Sequence, residues 1–342
     1  MLNMKDMVKN SESGLYEIVI GITSRCNFKC SFCYSSSSGQ DVSELNYETI
    51  KDIIDQGYGM GVQVIAISGG EPFLHPEILE ILEYAKKKCN VLIVSTNGFF
   101  INKDMAQKIK DIGVDNVQLS IEGNEEINNS LRGNPLGYKK ALEALKNLKE
   151  LGMDVTLTPT IQKENFDNIY HVWNLAREYK ADLSIKRIVE TGRGKDSTNI
   201  SSSKYHDLYN FAIESNISSE DGSSKIFIHC DPLRVLFLDE KLIDFNRFSG
   251  CIAGKGLLYI KYNGDIYPCS KLPLVIGNIY RDELKDVYDS SLILKDLTNR
   301  SNLKGKCGKC KYAKVCGGCR ATAYAQTEDY LEEDTMCWRR QR

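Results

Sequence analysis

Three cysteines at i, i+4 and i+7, in Cys26-Asn27-Phe28-Lys29-Cys30-Ser31-Phe32-Cys33, are the residues of this chain best placed to do chemistry. On a loop, thiols at that spacing converge on one metal centre, and thiolates are soft ligands suited to iron–sulfur clusters or zinc. Three ligands leave a four-iron cubane with one iron open. An open coordination position lets a metal act on a bound molecule rather than only hold a fold. A zinc knuckle is the competing account, but zinc motifs favour C-x2-C pairs and four ligands.

The element that must position this loop is the apolar alternating run 16–22, which predicts a buried strand. Beyond it, runs at 62–67, 91–94, 115–119, 155–158 and 181–185 read as strands. Apolar residues at helical spacing mark helices at 46–58, 77–88, 103–112, 136–151 and 166–179. Six β/α units imply a parallel sheet or partial barrel, whose reactive groups sit at the carboxyl ends of the strands. The cysteine loop follows the first strand, as that rule requires. After the second comes Ser68-Gly69-Gly70-Glu71-Pro72, where two glycines let backbone approach a ligand closely. The third and fourth strands end in Ser95-Thr96-Asn97-Gly98 and Ser120-Ile121-Glu122-Gly123. Gly57-Tyr58-Gly59-Met60-Gly61 precedes a strand, so it reads as a helix end and not a dinucleotide loop. Lys186 to Lys195 lacks P-loop spacing and either lines a cavity or forms a solvated connection.

Cys26, Cys30, Phe32 and Cys33 together match C-x3-C-x-aromatic-C, which resembles the signature of the radical S-adenosylmethionine (radical SAM) enzymes. The resemblance implies a [4Fe-4S] cluster on Cys26, Cys30 and Cys33, whose open iron chelates the amino and carboxylate groups of SAM. SAM is then cleaved to a 5′-deoxyadenosyl radical that abstracts a substrate hydrogen. Gly69, Gly70, Glu71 and Pro72 resemble the family's GGEP motif, which contacts the SAM amino group. Asn97 and Ser120 stand where the family places polar groups near the ribose and methionine parts. Glu122 stands where many relatives carry a ribose-binding aspartate. Arg132 resembles an arginine that meets the SAM carboxylate, a partner suited to a guanidinium.

The chain has 342 residues, 42% hydrophobic and 26% charged, with 12 cysteines. Reducing compartments rarely keep disulfides, so metal ligation is the better account of so many thiols. Cys89, after three lysines at a helix end, reads as an inert structural thiol. Seven thiols lie between residues 251 and 337, as C-x12-Gly264-x4-C, C-x2-C-x5-C-x2-C and a last Cys337. They exceed the needs of one cubane and serve two clusters if a further ligand is found or one iron stays open. C-x2-C pairs would also fit structural zinc.

This tail resembles the SPASM extension of radical SAM proteins, including a hairpin over 259–269 with an Asn263-Gly264 turn. By that resemblance, Cys251, Cys269 and Cys319 hold a nearer auxiliary cluster. Cys307, Cys310, Cys316 and Cys337 hold a farther one. Cys316 and Cys319 are separated by two residues where the pattern has three, which leaves the partner of Cys319 open. The nearer cluster's fourth ligand is Cys230, or else its iron is open to a substrate thiol. The expected fold is therefore α/β, a partial (β/α)6 TIM-like barrel with a small cysteine-rich C-terminal SPASM domain. The expected divisions are a barrel over 1–200, a bridge over 201–245 and the SPASM domain over 246–342. In the bridge, serine-rich loops at 197–203 and 215–224 flank a short helix at 204–214.

A net charge of −2 gives no footprint for nucleic acid or an anionic membrane. No run reaches transmembrane length and 1–13 lacks a signal-peptide core, so the expected compartment is the cytoplasm. SPASM proteins oxidise their substrates, and many act on ribosomally made peptides. The first reading is thus a peptide maturase forging thioether or carbon–carbon links. The short stretch before the first strand implies a separate leader-binding protein or a leader-independent substrate. The second reading is oxidation or decarboxylation of tetrapyrrole side chains in haem or haem d1 synthesis, because 316–325, 329–331 and Glu333-Asp334 look like the tails of such relatives. A third, a non-catalytic electron carrier, is opposed by the glycine loop and the polar strand ends. The class implies a flavodoxin or ferredoxin as electron donor.

Overall fold

The computed structural model describes residues 14–38, 42–197, 199–218, 224–238, 241, 243 and 250–339. The signal-peptide reading of 1–13 and parts of the expected bridge (219–223, 239, 240, 242, 244 and 245) lie outside these residues.

Strand β1 (Glu17–Gly21) buries Ile18 and Ile20 and leaves Glu17 and Val19 half-buried, the alternation of a strand with two different faces. Parallel pairing runs from β1 to β2 (Val64–Ser68), β3 (Val91–Thr96), β4 (Asn116–Leu119), β5 (Val155–Leu157) and β7 (Asp182–Arg187), while the short β6 (Thr160–Ile161) also pairs with β7. Crossover helices α1 (Tyr47–Gly59), α2 (Ile78–Lys86), α3 (Lys103–Ile112), α5 (Gly137–Glu150) and α6 (Ile169–Glu178) cover the sheet. With the helix Ser202–Ser218 that follows β7, these make the six β/α units expected from the sequence. Burying an isoleucine such as Ile65 or Ile67 between the layers stabilises by roughly 1.5–3 kcal/mol.

Two strands extend the parallel run beyond those units. β8 (Ile226–Ile228) pairs with β7, and β9 (Leu257–Ile260), inside the cysteine-rich segment, pairs with β1 from Glu17↔Leu257 to Ile20↔Ile260. The order is β9-β1-β2-β3-β4-β5-β7-β8, and β9 continues antiparallel into β10 (Asp265–Tyr267) and then β11 (Gly277–Asn278). The turn carries Gly264 at φ 87°, as the Asn-Gly signal predicts.

Helices at Leu284–Ser290, Leu292–Thr298, Gly305–Gly308 and Arg320–Thr327 are not among those read from the sequence, and two earlier in the chain depart from its reading. α4 (Glu125–Arg132), not expected, is capped by the Asn124 side chain accepting from the Ile127 N–H and closed by Gly133 at φ 62°. α7 (Ser202–Ser218) is longer than the helix read at 204–214, because buried Tyr205, Leu208, Tyr209, Ala212 and Ser215 continue one stripe through the serine-rich end.

Candidate active site

The cysteine loop is tied down on two sides. Lys29 and Ser31 donate backbone N–H to the carbonyls of Arg132 and Leu131 at 3.2 and 3.0 Å, which moors the loop to the end of α4. Opposite, Arg193 donates through Nε to the Cys30 carbonyl at 2.9 Å and through Nη1 to the Ser37 carbonyl at 2.8 Å. The segment from Lys186 to Lys195, for which the sequence allows either a cavity wall or a solvated connection, therefore braces the loop and lines the cavity.

That cavity, of about 170 Å³, brings Cys26, Cys30 and Cys33 together with Phe32, Gly69, Gly70, Asn97, Ser120 and Arg132. Gly70 lies so close to the Arg25 backbone that a Cβ there would stand 2.8 Å from its carbonyl carbon. The Gly70 N–H donates to the Thr23 carbonyl at 2.7 Å and that of Glu71 to the Arg25 carbonyl at 2.9 Å. The glycine pair thus lets one strand end lie against the approach to the cysteine loop. Burial pushes the Cys26 thiol to about 12, despite the N–H of Phe28 at 3.4 Å from its sulfur. Burial likewise pushes Cys30 to about 11, against the opposing charge of Arg132. Without metal both are thiols, and metal binding releases their protons.

Three expected SAM contacts are placed otherwise: Glu71, Pro72 and Glu122 do not line the cavity. Glu71 is fully buried and accepts from the Phe73 N–H, the Thr96 hydroxyl and the Asn97 N–H at 3.2, 2.7 and 2.8 Å. Its oxygens are taken up in fixing the end of β3, and Asn97 Nδ2 in turn donates to Asn27 Oδ1 at 2.8 Å. Pro72, buried, opens the short 3-10 turn Pro72–Leu74. Glu122 is also fully buried, with Oε1 2.5 Å from Arg132 Nη2 and Oε2 accepting from the Thr160 N–H at 2.7 Å. It holds the arginine from behind and presents no oxygen for a ribose. Among the described residues Arg132 Nε has no partner in this buried position, a donor left over for an anion.

The cysteine-rich end forms two further gatherings. Cys307, Cys310, Cys316 and Cys337 line one cavity of about 340 Å³. Burial pushes the Cys269 thiol to about 12, with the charges of Cys251 and Cys319 adding to the effect, so these three are neighbours. The short Cys316-to-Cys319 spacing has a local cause: Gly317 and Gly318 both take positive φ, 71° and 63°. A Cβ on Gly318 would stand 2.7 Å from Asp334 Cβ and 3.1 Å from Cys307 Sγ. The left-handed pair turns the chain sharply and directs consecutive cysteines to different gatherings. Cys230 follows β8 at φ 48°, exposed, its Sγ 3.2 Å from His229 Nε2.

Sequence reasoning missed a buried ionic hub. Arg187 pairs with Asp231 at 2.8 Å and with Asp334 at 2.8 Å. Asp334 also accepts the Cys319 N–H at 2.8 Å and donates its own N–H to Cys307 Sγ at 3.4 Å. One aspartate thus touches a cysteine of each gathering and ties both to β7. The signal available was slight: Arg187 ends a strand, Asp182–Arg187, that already carries Asp182 and Lys186, so one more charge there does not stand out.

Among the described residues no three His, Cys, Asp or Glu side chains are gathered as for a single metal ion. Zinc thiolates lie roughly 3.8 Å apart by tetrahedral geometry, whereas a cubane holds its ligands on different irons and hence farther apart. The three loop thiols, the unpartnered Arg132 donor and the four-cysteine cavity fit iron–sulfur clusters with SAM.

Comparison with known proteins agrees. The radical SAM superfamily model matches residues 20–176, and the iron–sulfur cluster-binding SPASM model matches 251–320. The chain belongs to the radical SAM superfamily, as a member with a SPASM extension, and is an enzyme using SAM and [4Fe-4S] clusters. It is 30% identical to the AdoMet-dependent heme synthase of Methanosarcina barkeri over 92% of this chain and 94% of that one. It is 31% identical to the mycofactocin maturase MftC of Mycolicibacterium smegmatis over 89% of this chain and 77% of that one. Its fold matches Streptococcus suis SuiB bound to S-adenosylmethionine with a TM-score of 0.79 at 20% identity, covering 98% of this chain and 79% of that one. No helix among the described residues is long and apolar enough to cross a membrane.

Proposed function

We propose that this enzyme oxidises carboxylate-bearing side chains of a tetrapyrrole, converting a propionate to a vinyl group with loss of its carboxylate as carbon dioxide. The observation that carries the reading is the reach of the thiol cavity. It runs from Cys26, Cys30 and Cys33 to Lys271, two residues beyond Cys269, so one space joins the SAM-binding loop to the segment that carries a nearer auxiliary cysteine. A substrate there sits where a hydrogen atom and an electron can leave in different directions. The SAM cluster supplies the radical that takes the hydrogen, and the auxiliary clusters supply a sink for the electron. The substrate side balances: a –CH2–CH2–COO⁻ group losing one hydrogen atom, one electron and CO2 becomes a vinyl group. Similarity to a heme synthase along nearly all of both chains supports the substrate class. Glu122 and Thr160 hold Arg132 toward the SAM carboxylate, and Glu71 holds Asn97. We assign the four-cysteine cavity to the farther auxiliary cluster and Cys251, Cys269 and Cys319 to the nearer.

A peptide maturase, the first reading from sequence, is the second reading here, favoured by the similarity to the mycofactocin maturase. Anaerobic reconstitution with SAM, dithionite and iron-coproporphyrin III, followed by mass spectrometry, tests the choice. Loss of CO2 from the porphyrin coupled to 5′-deoxyadenosine supports the proposal. An unchanged porphyrin, with a short precursor peptide cross-linked instead, overturns it.

A further inference from the structure

No aspartate or glutamate lines the thiol cavity, but five cations do. Three of them are accounted for. Arg132 is neutralised by Glu122, Arg187 by Asp231 and Asp334, and Arg193 is spent on the carbonyls of Cys30 and Ser37. Lys186 and Lys271 remain, and among the described residues neither has a carboxylate within ion-pair distance. Lys186, on β7, donates to the amide oxygen of Gln118 at 3.0 Å. Lys271 donates to the backbone carbonyl of Arg187 at 2.5 Å, which places its ammonium beside Lys186's own strand position. Two half-buried ammonium groups therefore line the same cavity on neutral acceptors, near enough for the charge of Lys271 to act on Lys186. Burial and the charge of Lys271 lower Lys186 to about 8. Glu17 is near enough to feel Lys186, yet burial raises its carboxyl to about 7, so it supplies only part of a counter-charge at neutral pH.

A pair of like charges kept together in a desolvated wall opposes folding unless a ligand of opposite charge completes it. SAM brings one carboxylate, and Arg132 already has a free donor for it. The lysines thus face the remaining space, where the substrate lies.

We infer that Lys186 and Lys271 form a carboxylate clamp that grips side-chain carboxylates of the substrate and orients it between the SAM-binding thiols and Cys269. The inference rests on the tetrapyrrole reading above. Each lysine exchanges a neutral acceptor for a charged one, and a peptide amide offers no such gain. The rival role, balancing the charge of the auxiliary thiolates beside Lys271, demands nothing of the substrate.

The test is absorbance titration of the SAM-loaded, reconstituted enzyme with iron-coproporphyrin III and, separately, its tetramethyl ester. Charge-assisted hydrogen bonds contribute enough that Lys186→Gln or Lys271→Gln should each weaken binding of the free acid about tenfold or more. Binding of the ester should be unchanged, and Lys186→Arg should retain much of the acid's affinity. The ester is the internal control for folding, since structural damage weakens both ligands alike. Equal loss for acid and ester, or no loss for the acid, overturns the clamp and leaves the tetrapyrrole reading standing. Failure of the wild type to bind the free acid removes that reading, and the clamp falls with it.

Discussion

Arg187→Met should be among the most damaging single changes outside the cysteines. Arg187 is 4% exposed and its guanidinium balances two carboxylates, Asp231 and Asp334, each 3% exposed or less. Its removal leaves both acids buried with only neutral donors: the Tyr205 hydroxyl and Leu233 N–H for Asp231, the Cys319 and Met336 N–H groups for Asp334. Breaking a buried pair from one side destabilises by roughly 3–5 kcal/mol. In a chain of this size that lowers the melting temperature on the order of 10 °C. Because Asp334 touches both Cys319 and Cys307, auxiliary iron should fall with stability while the loop cluster, braced by Arg193 and α4, is kept. Calorimetry and iron per chain, compared with a variant lacking Cys26, Cys30 and Cys33, read the two effects separately. Adding Asp334→Asn to Arg187→Met should recover part of the loss, since it removes one of the stranded charges. Wild-type melting and iron content in Arg187→Met, or a double variant as poor as the sum of the singles, would refute the account.

Further expectations concern the loop, the strand end, the tail and pH. Cys30→Ala should abolish 5′-deoxyadenosine formation, whereas Cys310→Ala should impair turnover or folding yet retain some uncoupled SAM cleavage; chromatography of the nucleoside distinguishes them. Glu71→Gln turns one buried acceptor into a donor facing the N–H or hydroxyl it used to satisfy, destabilising by about 1–3 kcal/mol and weakening SAM binding in equilibrium dialysis. Gly318→Ala puts a Cβ at positive φ against Asp334, and should lower melting temperature and auxiliary iron together. The affinity for the free porphyrin acid should decline as pH rises through about 8, where Lys186 loses its proton, and Glu17, ionising near 7, should make the decline begin earlier. The ester should show neither effect.

The barrel was legible because each strand is a short apolar run with a helix of clear period behind it, and because the cysteine loop falls at a strand's carboxyl end. α4 was missed although both of its ends are written in sequence: Asn124 before two glutamates, and Gly133 after Arg132. The motif reading treated Arg132 as a ligand contact and did not ask which element carried it. Glu71 and Glu122 show a different limit. Motif position put them among the ligand contacts, but whether a carboxylate faces a ligand or a neighbour's N–H depends on depth. Full burial decides that they act through Asn97 and Arg132. The Arg187 hub joins residues 147 positions apart in the chain, and no local period or spacing reports such a pairing.

The placement of β9 explains why the chain gathers its chemistry where it does. A six-stranded parallel sheet would leave β1 as an edge, with backbone donors and acceptors of four residues unpaired. β9 covers that edge, while β8 covers the other side beyond β7, and the two do not pair with each other among the described residues. The sheet therefore curves without closing. Each flank of the gap delivers a reactive segment: β8 leads directly to His229 and Cys230, and the β9–β10 hairpin leads to Cys269 and Lys271. Lys271 then reaches across to the carbonyl of Arg187 on β7, and Arg187 reaches to Asp334 in the tail. These contacts span the opening at its cysteine end. Shortening the hairpin at Asn263-Gly264 should for this reason affect Lys271 and Cys269 together, reducing porphyrin affinity and auxiliary iron in the same variant. Loss of either without the other would mean that the hairpin does not set their positions jointly.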